Sequence, residues 1–214
     1  MRISSQGLAW LTLGLLVATG PVSNTVAQEP VTELAVSTGA TLSLPTPPND
    51  KKGWAPEGEF AELLERMGDA TAASREVFKP LSATQMNWRP PNGTHTPRWN
   101  AEHLAATQLR LFSQVYAALD PDHHTEISIG PEQMPDAYVP AHPTWSGAQE
   151  AEQMERIGDY VRGFAYLLED ADLDKPVKGT RWAPRKLMDL MVRHYGQHTA
   201  NVEAKFTLPD WPKE

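Results

Sequence analysis

The stretch Pro184–Lys205, PRKLMDLMVRHYGQHTANVEAK, decides how the rest of the chain is read. Leu187, Leu190 and Met191, His194, His198, then Asn201 and Val202 recur at three- and four-residue spacing, which marks one face of an α-helix. Pro184 suits a first helical turn, where its missing N–H costs nothing. Pro209 stands where the helix can no longer continue. His194 and His198 therefore lie one above the other, on the apolar stripe rather than the wet side. Two imidazoles four residues apart can reach one divalent metal ion. The same pair on a buried face can also simply hydrogen-bond to its neighbours, and spacing alone leaves both readings open.

Outward from that helix, three more amphipathic segments appear. Glu57 to Lys79 places Phe60, Leu63, Leu64, Met67, Ala70, Val77 and Phe78 on one face and is closed by Pro80. A second helix is predicted from Asn100, as N-cap, to Leu119, with Leu104, Leu111, Phe112, Val115 and Leu119 inward. A third runs from about Ala148 to Glu169 on Met154, Ile157, Val161, Phe164 and Leu168. Residues 81–98, which hold Trp88, Pro90, Pro91, Gly93 and Pro97, read as irregular. The 120–146 gap, with five prolines, is the longest. Four such helices and no strong strand signal predict an all-α four-helix bundle, with a long crossover loop between helices 2 and 3. A loop of that length usually carries function or crosses the bundle.

The chain has 214 residues, a formal charge of −8 and no cysteine. Its N-terminus reads as a signal peptide, residues 1–27: Arg2, the apolar run LAWLTLGLLVATG, and small residues at Thr25 and Ala27 before a cut. The run is short of the roughly 20 apolar residues of a membrane span, so no span is expected after cleavage, and the protein is expected to be periplasmic or secreted. Uncleaved, the same segment would act as an anchor. Without cysteine, disulfides and thiol nucleophiles are unavailable. Removing residues 1–27 leaves −9, because Arg2 is the one charge lost. No basic face exists for nucleic acid. Residues 28–56, rich in Pro, Thr, Ser and Gly, read as an extended, largely disordered linker. Residues 57–208 form the bundle domain and 209–214 a tail.

Seven histidines carry the chemistry: His95, His103, His123, His124, His142, His194 and His198. His103, in the first turn of the second helix, shares a side with Trp99 and Thr107 and could complete a three-histidine site. Three neutral imidazoles with an open position is the arrangement of catalytic zinc. His103 could equally be an exposed or capping residue. The residues between His194 and His198 are Tyr195, Gly196 and Gln197, so the zinc-protease motif with its internal glutamate is absent. A general base would come from elsewhere, with Glu102 nearest in sequence. His123 and His124 read as solvated loop, as do His95 and His142, although either of the latter could reach over the open end of the bundle. Trp88, Trp99, Trp145 and Trp182 border helix starts and read as staples of the bundle ends before they read as a ligand cage.

Leu81-Ser82 with Trp88-Arg89-Pro90, Arg-Trp-Asn-Ala-Glu-His at 98–103, and His194-x-x-x-His198 with Asn201 together resemble the DinB-like superfamily, the DinB/YfiT-type metalloenzymes. The resemblance spans about residues 57–208. It implies a four-helix bundle with a long connection between the second and third helices. It also implies a divalent metal held by one histidine of the second helix and two of the fourth: His103, His194 and His198 here. Members with known activity include thiol-dependent transferases and a maleylpyruvate isomerase. In many members the second-helix histidine falls about two turns after the tryptophan, where this chain has Ala106 and Thr107. Either the register is shifted, so that His103 takes the place, or two ligands remain.

The resulting expectation is an exported DinB-like protein whose three-histidine site holds zinc or nickel, with manganese as a further option. It would act on a small-molecule substrate as a hydrolase or transferase. The rival is a non-catalytic periplasmic bundle that binds a ligand or protein, its metal site degraded. A homodimer through exposed helix faces stays open.

Overall fold

Pro184 opens the last long helix, α5 (Pro184–Glu203), and Leu187, Met188, Met191, Tyr195 and Val202 are its buried ridge. The ridge is rotated slightly from the predicted stripe. Tyr195 rather than His194 points into the core, where its hydroxyl donates to Gln108 Oε1 at 2.5 Å. His194 and His198 are left on the half-buried flank. A 3-10 turn, Ala204–Thr207, ends the helix before Pro209.

The structure, a computed structural model, describes residues 43–51, 53–129 and 138–213. The expected signal peptide, residues 28–42 of the expected linker and residues 130–137 of the long loop lie outside the described residues. α1 (Gly58–Phe78) and the short α2 (Ala83–Asn87) come first, followed by α3 (Pro97–Leu119) and α4 (Gly147–Gly163). No strand is present among the described residues, and none of their helices is long and apolar enough to cross a membrane. α1 and α3 each pack against both α4 and α5, with little contact between α1 and α3. The four long helices thus form a bundle in which α1 and α3, the first two long helices, stand at opposite corners. The all-α bundle with a long α3–α4 connection is as the sequence predicted.

Local chemistry corrects several boundaries. The cap of α3 stands four residues before the predicted one: Thr96 is the N-cap, its Oγ1 accepting from Trp99 N at 3.0 Å, and Pro97 occupies the first turn. Asn100 is inside the helix. The stretch read as irregular contains α2, started by a capping box in which Ser82 and Gln85 bond each other's backbone N–H. α4 ends at Gly163, and a 3-10 turn, Ala165–Leu168, carries the stripe onward. Gly147 N–H donates to Leu81 O at 2.7 Å, which docks the start of α4 on the chain leaving α1.

Two segments predicted to carry no helix are packed. Leu44 and Trp54 lie against the core, Trp54 meets Phe60 and Tyr166 edge-on or tilted, and Lys51 stands over the Tyr166 ring. A proline-rich stretch has little backbone entropy to lose, so a few aromatic contacts hold it. In the α3–α4 connection, Ile127 is buried and its N–H donates to Ser113 Oγ at 2.8 Å. His124, expected in solvent, is buried edge-on against Phe164, while its neighbour His123 is exposed and bonded to Asp120.

Candidate metal centre

Because α3 starts at Pro97, Trp99 and His103 are one turn apart on the face turned toward α5. Their rings stack with centroids 4.5 Å apart and planes 9° off parallel. His95, just before the helix, stacks on the other face of Trp99 at 3.5 Å. Trp99 is therefore less a staple than the wall that orients His103, and it also lies against His198.

Opposite, α5 presents His194 and His198. His103 Nε2 and His194 Nε2 are 3.0 Å apart, and one ring nitrogen from each of the three histidines lies within 4.8 Å of the others. Zinc–nitrogen bonds of about 2.0–2.1 Å place the nitrogens of a tetrahedral ion roughly 3.3 Å apart, close to this spacing. His103, one turn after Trp99, meets the α5 pair.

A second layer of bonds fixes the rings. His198 Nδ1–H donates to Asn100 Oδ1 at 2.7 Å, which leaves Nε2 with its lone pair for the cluster. Asn100 Nδ2 in turn donates to Thr96 O at 2.8 Å and to Asn201 Oδ1 at 3.3 Å. Lys205 Nζ donates to Asn201 O and Oδ1 at 2.8 and 2.7 Å. Burial pushes the Lys205 ammonium down to about 8.

Burial first, then the neighbouring His194, His95 and Arg110, hold His103 down to about 4. Burial, His194, His103 and His95 hold His198 down to about 3. At neutral pH these two imidazoles are uncharged, the form in which a histidine binds metal. No carboxylate joins this cluster among the described residues. The donor set thus fits a divalent ion whose double charge its ligands leave unneutralised.

The sequence profile of the DinB superfamily matches residues 66–202, more than half of the chain. The chain belongs to the DinB superfamily. No curated protein and no solved structure gives a match. The matched span of this DinB-superfamily chain includes the second-helix histidine and the α5 pair.

Glu102, nearest in sequence for a general base, does not serve the histidines. Its carboxylate faces the other way, accepting from Tyr138 Oη at 2.5 Å, Ala141 N at 3.1 Å and His142 N at 3.0 Å. His95 touches Trp99 rather than the cluster. His142, read as loop, is buried beside Glu102 and Glu150, and burial with Arg98 and Arg156 lowers it to about 4. Burial and Glu102 outweigh Arg98 and push the Glu150 carboxyl up to about 8. The supporting roles of Asn100 and Lys205 were missed in the sequence. Asn100 resembled an N-cap, and a lysine near a helix end ordinarily reads as solvated. A groove of about 600 Å³ lies elsewhere, lined by Trp54, Leu64, Gly68, Asp69, Ala72 and Arg162, with no histidine on its walls.

Proposed function

We propose that this DinB-superfamily chain holds one divalent metal ion through His103, His194 and His198, and uses it in small-molecule hydrolysis or group transfer. The convergence of three ring nitrogens, two of them 3.0 Å apart, carries this reading. Bound there, the ion would act as a Lewis acid and lower the pKa of a coordinated water toward neutrality, helped by a ligand set that is all imidazole among the described residues. The protein's own part is orientation. Trp99 fixes the plane of His103, and Asn100 fixes the tautomer of His198. Lys205, through Asn201, locks Asn100. Zinc or nickel fits the all-nitrogen set better than manganese, which favours oxygen.

The leader-like residues 1–27 support an exported, periplasmic or secreted site of action. Outside the cytosol a thiol co-substrate is scarce, which favours hydrolysis over thiol-dependent transfer. A second reading rests on Glu102: its carboxylate is committed to the 138–142 chain, and the three-histidine cluster includes no carboxylate among the described residues. That favours a binding module, in which the metal anchors a ligand rather than activating water.

The test is elemental analysis of protein purified without chelators, wild type beside His103→Ala, His194→Ala and His198→Ala, followed by an ester and amide hydrolysis screen of metal-loaded protein. Loss of one equivalent of metal in each of the three variants supports the centre, and metal-dependent turnover that falls with it supports the enzyme. Metal without turnover supports the binding module. No metal after reloading sinks both.

A further inference from the structure

α3 turns its histidine toward α5, but Arg98 and Glu102 toward α4 and the chain that leads into it. Glu102 takes three hydrogen bonds from Tyr138, Ala141 and His142, which seats the 138–142 segment on the helix. The His142 ring then stacks flat on Trp145, with centroids 3.5 Å apart and planes 4° off parallel. That pose leaves Nδ1 3.8 Å from Glu102 Oε1 and 3.8 Å from Glu150 Oε1, too far from either for a hydrogen bond.

His142 is 4% exposed, and neither of its ring nitrogens has a hydrogen-bond partner among the described residues. Buried polar groups are almost always paired, so an orphaned imidazole between two carboxylates calls for a missing group. Charge points the same way. Arg98, fully buried, donates to Glu150 Oε1 at 2.8 Å, to Asn87 Oδ1 at 2.7 Å and to the Trp145 carbonyl. The Arg98 guanidinium bonds Glu150 and not Glu102, and Arg156 acts on the group from a more exposed position, so a bound cation would be what brings both carboxylates together in their ionised form.

We propose that Glu102, His142 and Glu150 form a second divalent-cation site, separate from the three histidines. One ligand atom from each lies within 4.8 Å of the others. Two carboxylate oxygens and one imidazole suit a first-row transition ion such as zinc or manganese, whereas calcium and magnesium take all-oxygen shells. The ion would tie α3, the 138–142 segment and α4 together, so its role is to clamp the α3–α4 connection onto the bundle. A water bridging the same three groups is the competing outcome, and the experiment separates the two.

Zinc content is measured after loading with zinc chloride and gel filtration, in wild type, in His142→Phe, and in the triple variant His103→Ala/His194→Ala/His198→Ala. Phenylalanine keeps the stack on Trp145 and removes both nitrogens. The expected results are one equivalent fewer in His142→Phe than in wild type, and one equivalent retained in the triple variant. The triple variant reports on this site alone, so the proposal does not rest on the three-histidine reading. A folded triple variant without zinc would overturn it, as would His142→Phe with wild-type content, the result a water-filled site gives. Should the triple variant fail to fold, Glu150→Gln decides. A loss of one equivalent from wild-type content supports the site, and unchanged content overturns it.

Discussion

His198 Nδ1 and Asn100 Oδ1 lie 2.7 Å apart, so a carboxamide on α3 sets the tautomer of an imidazole on α5. The amide cannot turn over, because its Nδ2 is committed to Thr96 O and Asn201 Oδ1. Outer partners of this kind typically change metal affinity by about 10–100-fold when removed. Asn100→Leu is expected to weaken zinc binding within that range, while Asn100→Asp, which keeps an acceptor at the same place, is expected to lose less. Competition against a chromogenic chelator measures both. Equal affinities for Asn100→Leu and wild type would remove the tautomer argument.

The metal-free protein should respond to acid in a set direction. His103 and His198 titrate near 4 and 3 in the fold, against 6.5 for an ordinary histidine. As pH falls below about 6.5 the unfolded chain takes up these protons first, so stability is fully present above that value and drains away toward pH 3–4. Urea midpoints of chelator-treated protein should fall from pH 7 to pH 5. The fall should be shallower in His198→Gln, because one of the suppressed protonations is gone. A slope unchanged by that substitution would mean that burial does not hold the imidazole neutral.

How much of this was legible follows from distance along the chain. Periodicity exposed the four long helices because a 3.6-residue repeat is a local property. It paired His194 with His198 for the same reason. His103 was harder, since its direction depends on where α3 starts. Thr96-Pro97 carried that signal as N-cap and first-turn proline, but Asn100 offered a competing cap. The Glu102, His142 and Glu150 cluster was out of reach. His142 reaches it only because three donors in the 138–142 segment find Glu102, and no spacing rule relates residues about forty apart. The docking of Leu44 and Trp54 was equally hidden, because proline-rich composition reports the freedom of a chain and not the aromatic surface it meets.

Gly147 and Gly196 should respond to alanine with opposite signs. A Cβ at Gly147 would stand 1.8 Å from Phe78 O and 3.1 Å from Leu81 Cβ, so the start of α4 would have to lift off α1. Gly147→Ala is expected to destabilise by about 2–4 kcal/mol, as overpacking against backbone does. Gly196 is exposed within α5, and a Cβ there meets nothing within 4 Å. Gly196→Ala should stabilise by roughly 0.5–1 kcal/mol through helix propensity. Denaturant unfolding reads both, and a neutral Gly147→Ala would contradict the close approach of the two helices.

His95 and His103 sandwich the Trp99 ring from opposite faces, yet only His103 has a nitrogen in the cluster. The two histidines should therefore separate cleanly in a metal-binding assay. His103→Ala removes one of three ligands, and its loss of zinc affinity should exceed the roughly 100-fold upper end seen for outer partners. His95→Ala removes a stacking contact on the far side of the indole. It should lower affinity by less than about 10-fold, because Trp99 is still held by Thr96 and by its own burial. Comparable losses in the two variants would mean that α3 is shifted from the register described, with His95 taking part in the centre.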